Sequence, residues 1–184
     1  MSEYIALKNQ IVKYDNFSLV PIRIEDRYQI MKWRNEQMYH LRQEKLLTNE
    51  SQDIYFKNVV SKLFNEKYPE QILFSYLNGN ECIGYGGLVH INWVDRNAEI
   101  SFIMNTELES TEFTKHWGIF LTLINIIATQ ELNLIKTYTY AYDLRPMLYS
   151  ALEGAGYIQE AKLSKHKKFD NKFIDILIHS KINE

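Results

Sequence analysis

The sequence predicts a single α/β domain of the α+β type over residues 1–184, built on a mixed, mostly antiparallel, twisted sheet flanked by helices. Three observations carry this expectation. Strand-like segments succeed one another from about residue 71 to 104 with no helix between them. That order favours antiparallel neighbours over the strand–helix alternation of a doubly wound sheet. A long apolar helical pattern follows at about 114–131, and two alternating segments, roughly 157–167 and 171–181, close the chain around Asp170-Asn171.

The elements follow in order. FSLVPI at 17–22 reads as a strand, with a shorter one near Ile11–Tyr14, and Pro21 marks an edge or a strand end. Ile30, Met31 and Trp33 fit a helix over about 25–36. Ile54, Tyr55, Val59, Leu63 and Phe64 give a second apolar helical stripe from Asn49, expected to end near Tyr68 before Pro69. QILFSYL and ECIGYGGLVHI flank Asn78-Gly79, a favoured two-residue hairpin turn. In the next strand, about 96–104, Ala98, Ile100, Phe102 and Met104 share a core-like face. Asn97, Glu99, Ser101 and Ile103 share the other, which is expected to border a cleft.

After the long helix, LIKTYTYAYD reads as a strand with Tyr138, Tyr140 and Tyr142 on one face and Thr137, Thr139 and Ala141 on the other. Pro146 suits the first turn of a short helix that Gly154 or Gly156 ends.

Composition narrows the function classes. Hydrophobic residues are 46% and charged residues 24%, which suits a packed globular domain rather than a disordered chain. Lys plus Arg number 21 against 23 Asp plus Glu, so the net charge of -2 offers no general polycation to nucleic acid. A single cysteine, Cys82, excludes an intrachain disulfide and a clustered-thiolate metal site, and no metal ligand set is read. The start shows no signal-peptide pattern, and the apolar run GIFLTLINIIA is interrupted by Thr122 and Asn125. A soluble cytoplasmic protein without a membrane partner is therefore expected, as a monomer or homodimer.

Five features together resemble the Gcn5-related N-acetyltransferase (GNAT) superfamily over about residues 17–181: LVPIRIEDRYQIMKWRN, ECIGYGG, NAEISFIM, the helix from Thr114, and LYSALEGAGY. The resemblance implies the GNAT fold, acetyl-CoA as donor and a primary amine as acceptor; direct transfer in a ternary complex is expected because Cys82 shows no histidine partner that would make it a nucleophile. The texture is nearest to the branches acting on ribosomal-protein termini, polyamines and nucleotide-linked aminosugars.

The family's diphosphate loop, Gln/Arg-x-x-Gly-x-Gly/Ala, falls on Lys115-His116-Trp117-Gly118-Ile119-Phe120, with Phe120 where the second small residue stands. A helix start there would offer unpaired N–H groups to an anion. The resemblance further assigns the backbone of Phe102, Ile103 and Met104 to the pantetheine arm, and Asp143 and Arg145 to the same cofactor.

Transfer to nitrogen needs a proton acceptor for the amine. Glu99, on the less apolar strand face, is the leading base, and His90 is the second candidate. Tyr149 is implied as proton donor to the departing thiolate, although Leu148-Tyr149 precedes Gly156-Tyr157 by more than the family spacing. Cys82 has no apparent histidine partner and reads as packing. Trp33, Arg34, Asn35, Tyr39, Arg42, His90, Trp93, Lys165 and Lys167 form the expected acceptor pocket. That mixture of cations and aromatics makes a nucleotide-linked aminosugar the first acceptor guess. A polyamine or protein N-terminus, and a noncatalytic acetyl-CoA-binding module, are the alternatives.

Overall fold

The computed structural model describes residues 2–183. Eight strands form one sheet: β1 Val12–Tyr14, β2 Phe17–Pro21, β3 Ile72–Asn78, β4 Glu81–Asn92, β5 Asn97–Met104, β6 Lys136–Tyr142, β7 Ile158–Phe169 and β8 Lys172–Ile182. Their order is β1-β2-β3-β4-β5-β6-β8-β7. Every neighbouring pair is antiparallel except β5 with β6. The helices are α1 Arg27–Glu36, α2 Asn49–Tyr55, α3 Ser61–Leu63, α4 Thr106–Thr111, α5 Phe113–Ile126 and α6 Pro146–Gly154. A π-helical turn, Phe56–Val60, joins α2 to α3, and another, Ile127–Glu131, extends α5.

Local chemistry explains the boundaries. Thr48 and Ser51 cap α2 reciprocally, each side chain taking the other's backbone N–H. Helical structure on this side ends at Leu63 rather than near Tyr68. The β3–β4 turn is Gly79-Asn80, one residue later than expected, because Asn78 still pairs with Glu81. Asp170 and Asn171 both take positive φ, 44° and 61°, as a two-residue hairpin turn requires.

The unexpected element is α4. Asn105 caps it by accepting the Glu107 N–H, and α5 starts immediately beyond Glu112.

Alternation along β5 sorts the two helical layers. Phe102 stacks on Phe120 of α5 at 4.0 Å and 10°, so the even-numbered side chains face α5. On the opposite face Tyr85 of β4, the cross-strand partner of Ile103, bonds Arg34 of α1. Phe120 is fully buried, with Tyr76 and Trp117 edge-on to it. Gly86 makes room for this ring: an added Cβ would lie 2.9 Å from Phe120 Cζ and 2.2 Å from the Ser101 carbonyl oxygen.

Phe120 therefore serves the core. Phe120→Ala should cost about 3–5 kcal/mol of unfolding free energy by cavity formation, read from the denaturant midpoint at unchanged slope.

Candidate active site

The single parallel contact is short. β5 and β6 pair only at Asn97–Lys136, Ala98–Thr137 and Glu99–Tyr138, after which the strands part. A cavity of about 340 Å³ opens at this fork. Its walls include Glu99 and Ser101, whose side chains face α1, and Ile100 and Phe102, whose side chains face α5. It therefore passes through the sheet and presents two chemically different halves.

The half on the α1 side holds charge. Glu99 occupies the last rung before the fork and is buried. Arg42 donates to its Oε1, and His90 Nε2 lies 3.9 Å from Oε2. Burial pushes the Glu99 carboxyl above the ordinary carboxylate range, opposed by the Arg42 and His90 charges. His90 reaches the site because β4 bulges between Val89 and Asn92, with φ 51° at His90 itself. The Arg42 guanidinium also lies 4.5 Å above the Tyr140 ring. Carboxylate and aromatic face thus share one cation. Arg34 lines the same half, bonded to Gln43 and to the Tyr85 hydroxyl.

The half toward α5 and α6 is mostly apolar, walled by Ile100, Phe102, Trp117, Ala141 and Leu148, with Thr139 as its polar member. Backbone polarity there follows from register. Asn105 N–H donates to the Ile83 carbonyl, so the polar groups of Ile103 turn toward β4 and those of Ile100, Phe102 and Met104 turn toward the fork. The expectation for Ile103 is corrected accordingly, since its backbone serves the sheet. The Met104 carbonyl is also engaged, by the buried Gln37 amide at 2.8 Å.

Across the far end of the fork runs a polar bridge. Arg145 donates to Glu109 of α4 and to His40 Nε2, both at 3.2 Å, and Tyr39 donates to Glu109. Arg145 is thereby a structural ion-pair partner rather than a free phosphate ligand. His40 is held neutral, its pKa lowered to about 3 by burial and by the Arg145 charge.

The expected diphosphate motif is helical rather than a loop. The first bond within α5 is His116 N–H to the Glu112 carbonyl, leaving the N–H groups of Phe113, Thr114 and Lys115 as its orphan donors. His116 is buried against the Tyr76 hydroxyl, and Trp117 is buried as well. Their side chains serve packing. Lys115 pairs with Glu112 at the surface. Gly118 and Ile119 line a groove of about 410 Å³ with Ser150, Ala151 and Gly154 of α6. A Cβ at Gly118 would meet nothing within 4 Å, so packing does not demand this glycine.

The residues present fit the CoA that the resemblance implies. Open strand-edge groups, an unpartnered Thr139 hydroxyl, orphan helix N–H groups and a small-residue groove all border the gap between α5 and α6.

Several expected pocket residues lie elsewhere. Trp33 is core, and Trp93 donates to the Pro69 carbonyl beside the Tyr68 ring. Asn35 ties the 41–48 segment by bonding both backbone groups of Leu47, through its side-chain N–H and carbonyl. Tyr39 faces Glu109. Lys165 and Lys167 stand on the β7 side of the last hairpin and do not line the cavity. The Tyr149 hydroxyl donates to Asp143 at 2.6 Å, and its ring stacks on His179. It too is absent from the cavity wall, and burial together with Asp143 raises its pKa. Cys82 bonds the Gly84 carbonyl, with its pKa pushed up to about 12 by burial.

Gln37, His40, Glu109, Thr139, Tyr140, Tyr142 and Leu148 were not assigned to the site from the sequence. One signal was available for Glu109: Asn105 followed by Thr-Glu-Leu-Glu is a helix-start pattern with an acidic first turn.

No curated protein matches the chain. Its fold is similar to the crystal structure of spermidine N-acetyltransferase from Vibrio cholerae in complex with CoA and spermine, at TM-score 0.76 and 18% identity over 92% of this chain and 96% of that one. A dodecameric structure of spermidine N-acetyltransferase from Vibrio cholerae in an intermediate state is similar at TM-score 0.71 and 19% identity, over 92% and 95%. The family model described as acetyltransferase (GNAT) domain matches residues 19–178. The parted strands, the helix layers on both sheet faces and that match over most of the sequence lead to one assignment: the chain belongs to the GNAT acetyltransferase family.

Proposed function

We propose that this acetyl-CoA-dependent N-acetyltransferase acts on a primary amine of a small polyamine, with Glu99 at the fork as the proton acceptor. The observation carrying the acceptor class is the site shared by Glu99 and Tyr140. A buried carboxylate and an aromatic face form a cation site, and in the free chain the Arg42 guanidinium fills it. A substrate ammonium has the same charge and can take that position when Arg42 swings away. Arg42 is suited to move, because its side chain is 46% exposed. Similarity of fold to spermidine N-acetyltransferases supports the same acceptor class. The nucleotide-linked aminosugar expected first has no support from those neighbours.

The chain's own residues divide the work across the sheet. Acetyl-CoA, when bound, supplies a thioester as the acyl donor. Glu99 accepts the amine proton, directly or through water, and its raised pKa brings it nearer to the task than a solvent carboxylate. His90, on its bulge, stands beside Glu99 and supports its charge. Strand-edge groups of Ile100 and Phe102 hold the donor arm as another strand would, with Phe113, Thr114, Lys115 and Gly118 toward its diphosphate. Cys82, high in pKa and off the cavity wall, takes no part, which favours direct transfer over an acyl-cysteine route.

A second acceptor reading has its own observation. Arg34 lines the cavity, and among the described residues no carboxylate pairs with it. An amine that also carries a carboxylate or phosphate would meet that guanidinium.

Release of free CoA with spermidine, spermine, an aminosugar nucleotide and a peptide amine separates the readings. Turnover with the polyamines is expected, whereas turnover confined to the aminosugar nucleotide transfers the assignment to the second reading. CoA binding without turnover on any amine identifies a noncatalytic module.

Glu99→Gln should lower kcat about 10²–10⁴-fold and also raise the polyamine KM, because it removes both the proton acceptor and the carboxylate of the cation site. Arg42→Ala should lower the polyamine KM by vacating the cation site. It should also move the acidic limb of the kcat/KM profile upward, because the buried carboxyl loses the charge that holds its pKa down. An unmoved limb in that variant removes Glu99 as the titrating base.

A further inference from the structure

Two neighbouring polar side chains in the interior have no partner among the described residues. Among the described residues nothing hydrogen-bonds the Thr139 hydroxyl or either ring nitrogen of His179, although Thr139 is 3% exposed and His179 fully buried. They face each other across the β6–β8 ladder, so their side chains share the face covered by α6. Desolvated groups left unpaired oppose folding, which makes such a pair informative when it borders a cavity. Thr139 does border one, on the α5–α6 half of the fork.

Its position in the sheet is specific. Glu99 and Tyr138 form the last β5–β6 rung, and Thr139 is the next residue along β6. Glu99 thus stands at the apex on one face, and Thr139 lies one residue beyond it on the other. A group transferred through the fork passes from the Thr139 side to the Glu99 side. The tyrosine that the sequence resemblance implied as helper of the leaving sulfur is committed to Asp143 instead.

We propose that Thr139 donates its hydroxyl hydrogen bond to the CoA sulfur as it leaves, with His179 as the positioning residue behind it. The inference rests on acetyl transfer at the fork. In that step the carbonyl carbon–nitrogen bond forms and the carbon–sulfur bond breaks. The sulfur keeps the bonding electron pair, and the amine proton passes to Glu99. Thr139 loses no proton. Its hydroxyl stabilises the thiolate charge in an otherwise apolar half-cavity, and the thiolate acquires its proton from solvent on release.

His179, neutral because burial lowers its pKa, has one ring donor and one acceptor available to fix the hydroxyl rotor through one water. The other charged or titratable groups bordering this region are Glu153 of α6, whose charge opposes the lowering at His179, Tyr149 with Asp143, Arg145 with Glu109, and His40. None of them hydrogen-bonds Thr139.

The test compares Thr139→Val, which keeps shape, with Thr139→Ser, which keeps the hydroxyl. Binding of free CoA is titrated against pH by calorimetry, alongside the thiolate's ultraviolet absorbance. Loss of a hydrogen bond to a charged atom should raise the bound-thiol pKa by about 1–2 units in the valine variant, and the serine variant should restore it. Turnover of acetyl-CoA should fall about ten- to one-hundred-fold in the valine variant. That deficit should shrink with an acyl donor whose leaving thiol is more acidic, a readout that a packing role would not move.

His179→Phe, which keeps an aromatic ring against Tyr149, should reproduce part of the thiol shift. If the valine variant does not fold, Thr139→Ala is read in the same titration. An unshifted thiol pKa in the folded variant overturns the proposal, even where no acceptor amine has been found. A shifted thiol pKa with no turnover on any amine leaves the Thr139 contact standing and rejects the transferase reading instead.

Discussion

The parting of β5 from β6 is the constraint on which the site depends. Two strands that pair for three rungs and then diverge leave a row of backbone donors and acceptors without a neighbouring strand to bond. Inside a protein such groups need satisfaction from a side chain, water or a ligand. Gln37 supplies one answer at the Met104 carbonyl. The remaining edge gives the cavity a strand-like wall. The divergence is held from both sides: β5 is fixed by β4 and by the stack of Phe102 on Phe120, whereas β6 is fixed along its whole length by β8.

Charge around the fork is distributed in pairs. Arg42 answers Glu99 and Arg145 answers Glu109, while His40 is kept neutral between Gln37 and Arg145. The pair at Glu99 is open to exchange because Arg42 is half exposed; the pair at Glu109 is sealed, with both partners nearly buried. The first can therefore yield to a substrate cation, and the second acts as a clasp between α4 and the start of α6. A buried pair of this kind contributes little net stability, yet it is costly to break on one side only.

The departure at the diphosphate motif has one physical origin. Phe120 stands where a small residue would keep a diphosphate loop open, and its ring is instead the centre of the aromatic core under β4 and β5. Helix α4 directly precedes the helix bearing it, whose His116 and Trp117 side chains turn inward. What stays open is backbone N–H at the first turn of α5 and the glycine-lined face toward α6. Among the described residues, no helix is long and apolar enough to cross a membrane.

Alternation of apolar and polar residues determined most of the architecture from the sequence alone, because side-chain direction in a strand has a period of two. The opposite faces of Ala98–Met104 and of Tyr138–Tyr142 and the candidacy of Glu99 follow from that local rule, and the hairpin at Asp170-Asn171 from turn residues that tolerate positive φ. Helix α4 was locally encoded too, by Asn105 and its acidic first turn. Tertiary structure alone decided where β5 and β6 separate, that Arg42 meets Glu99 across 57 residues, and that Tyr149 turns to Asp143. Those outcomes depend on which distant groups compete for the same space and the same hydrogen bonds, and that competition has no period along the chain.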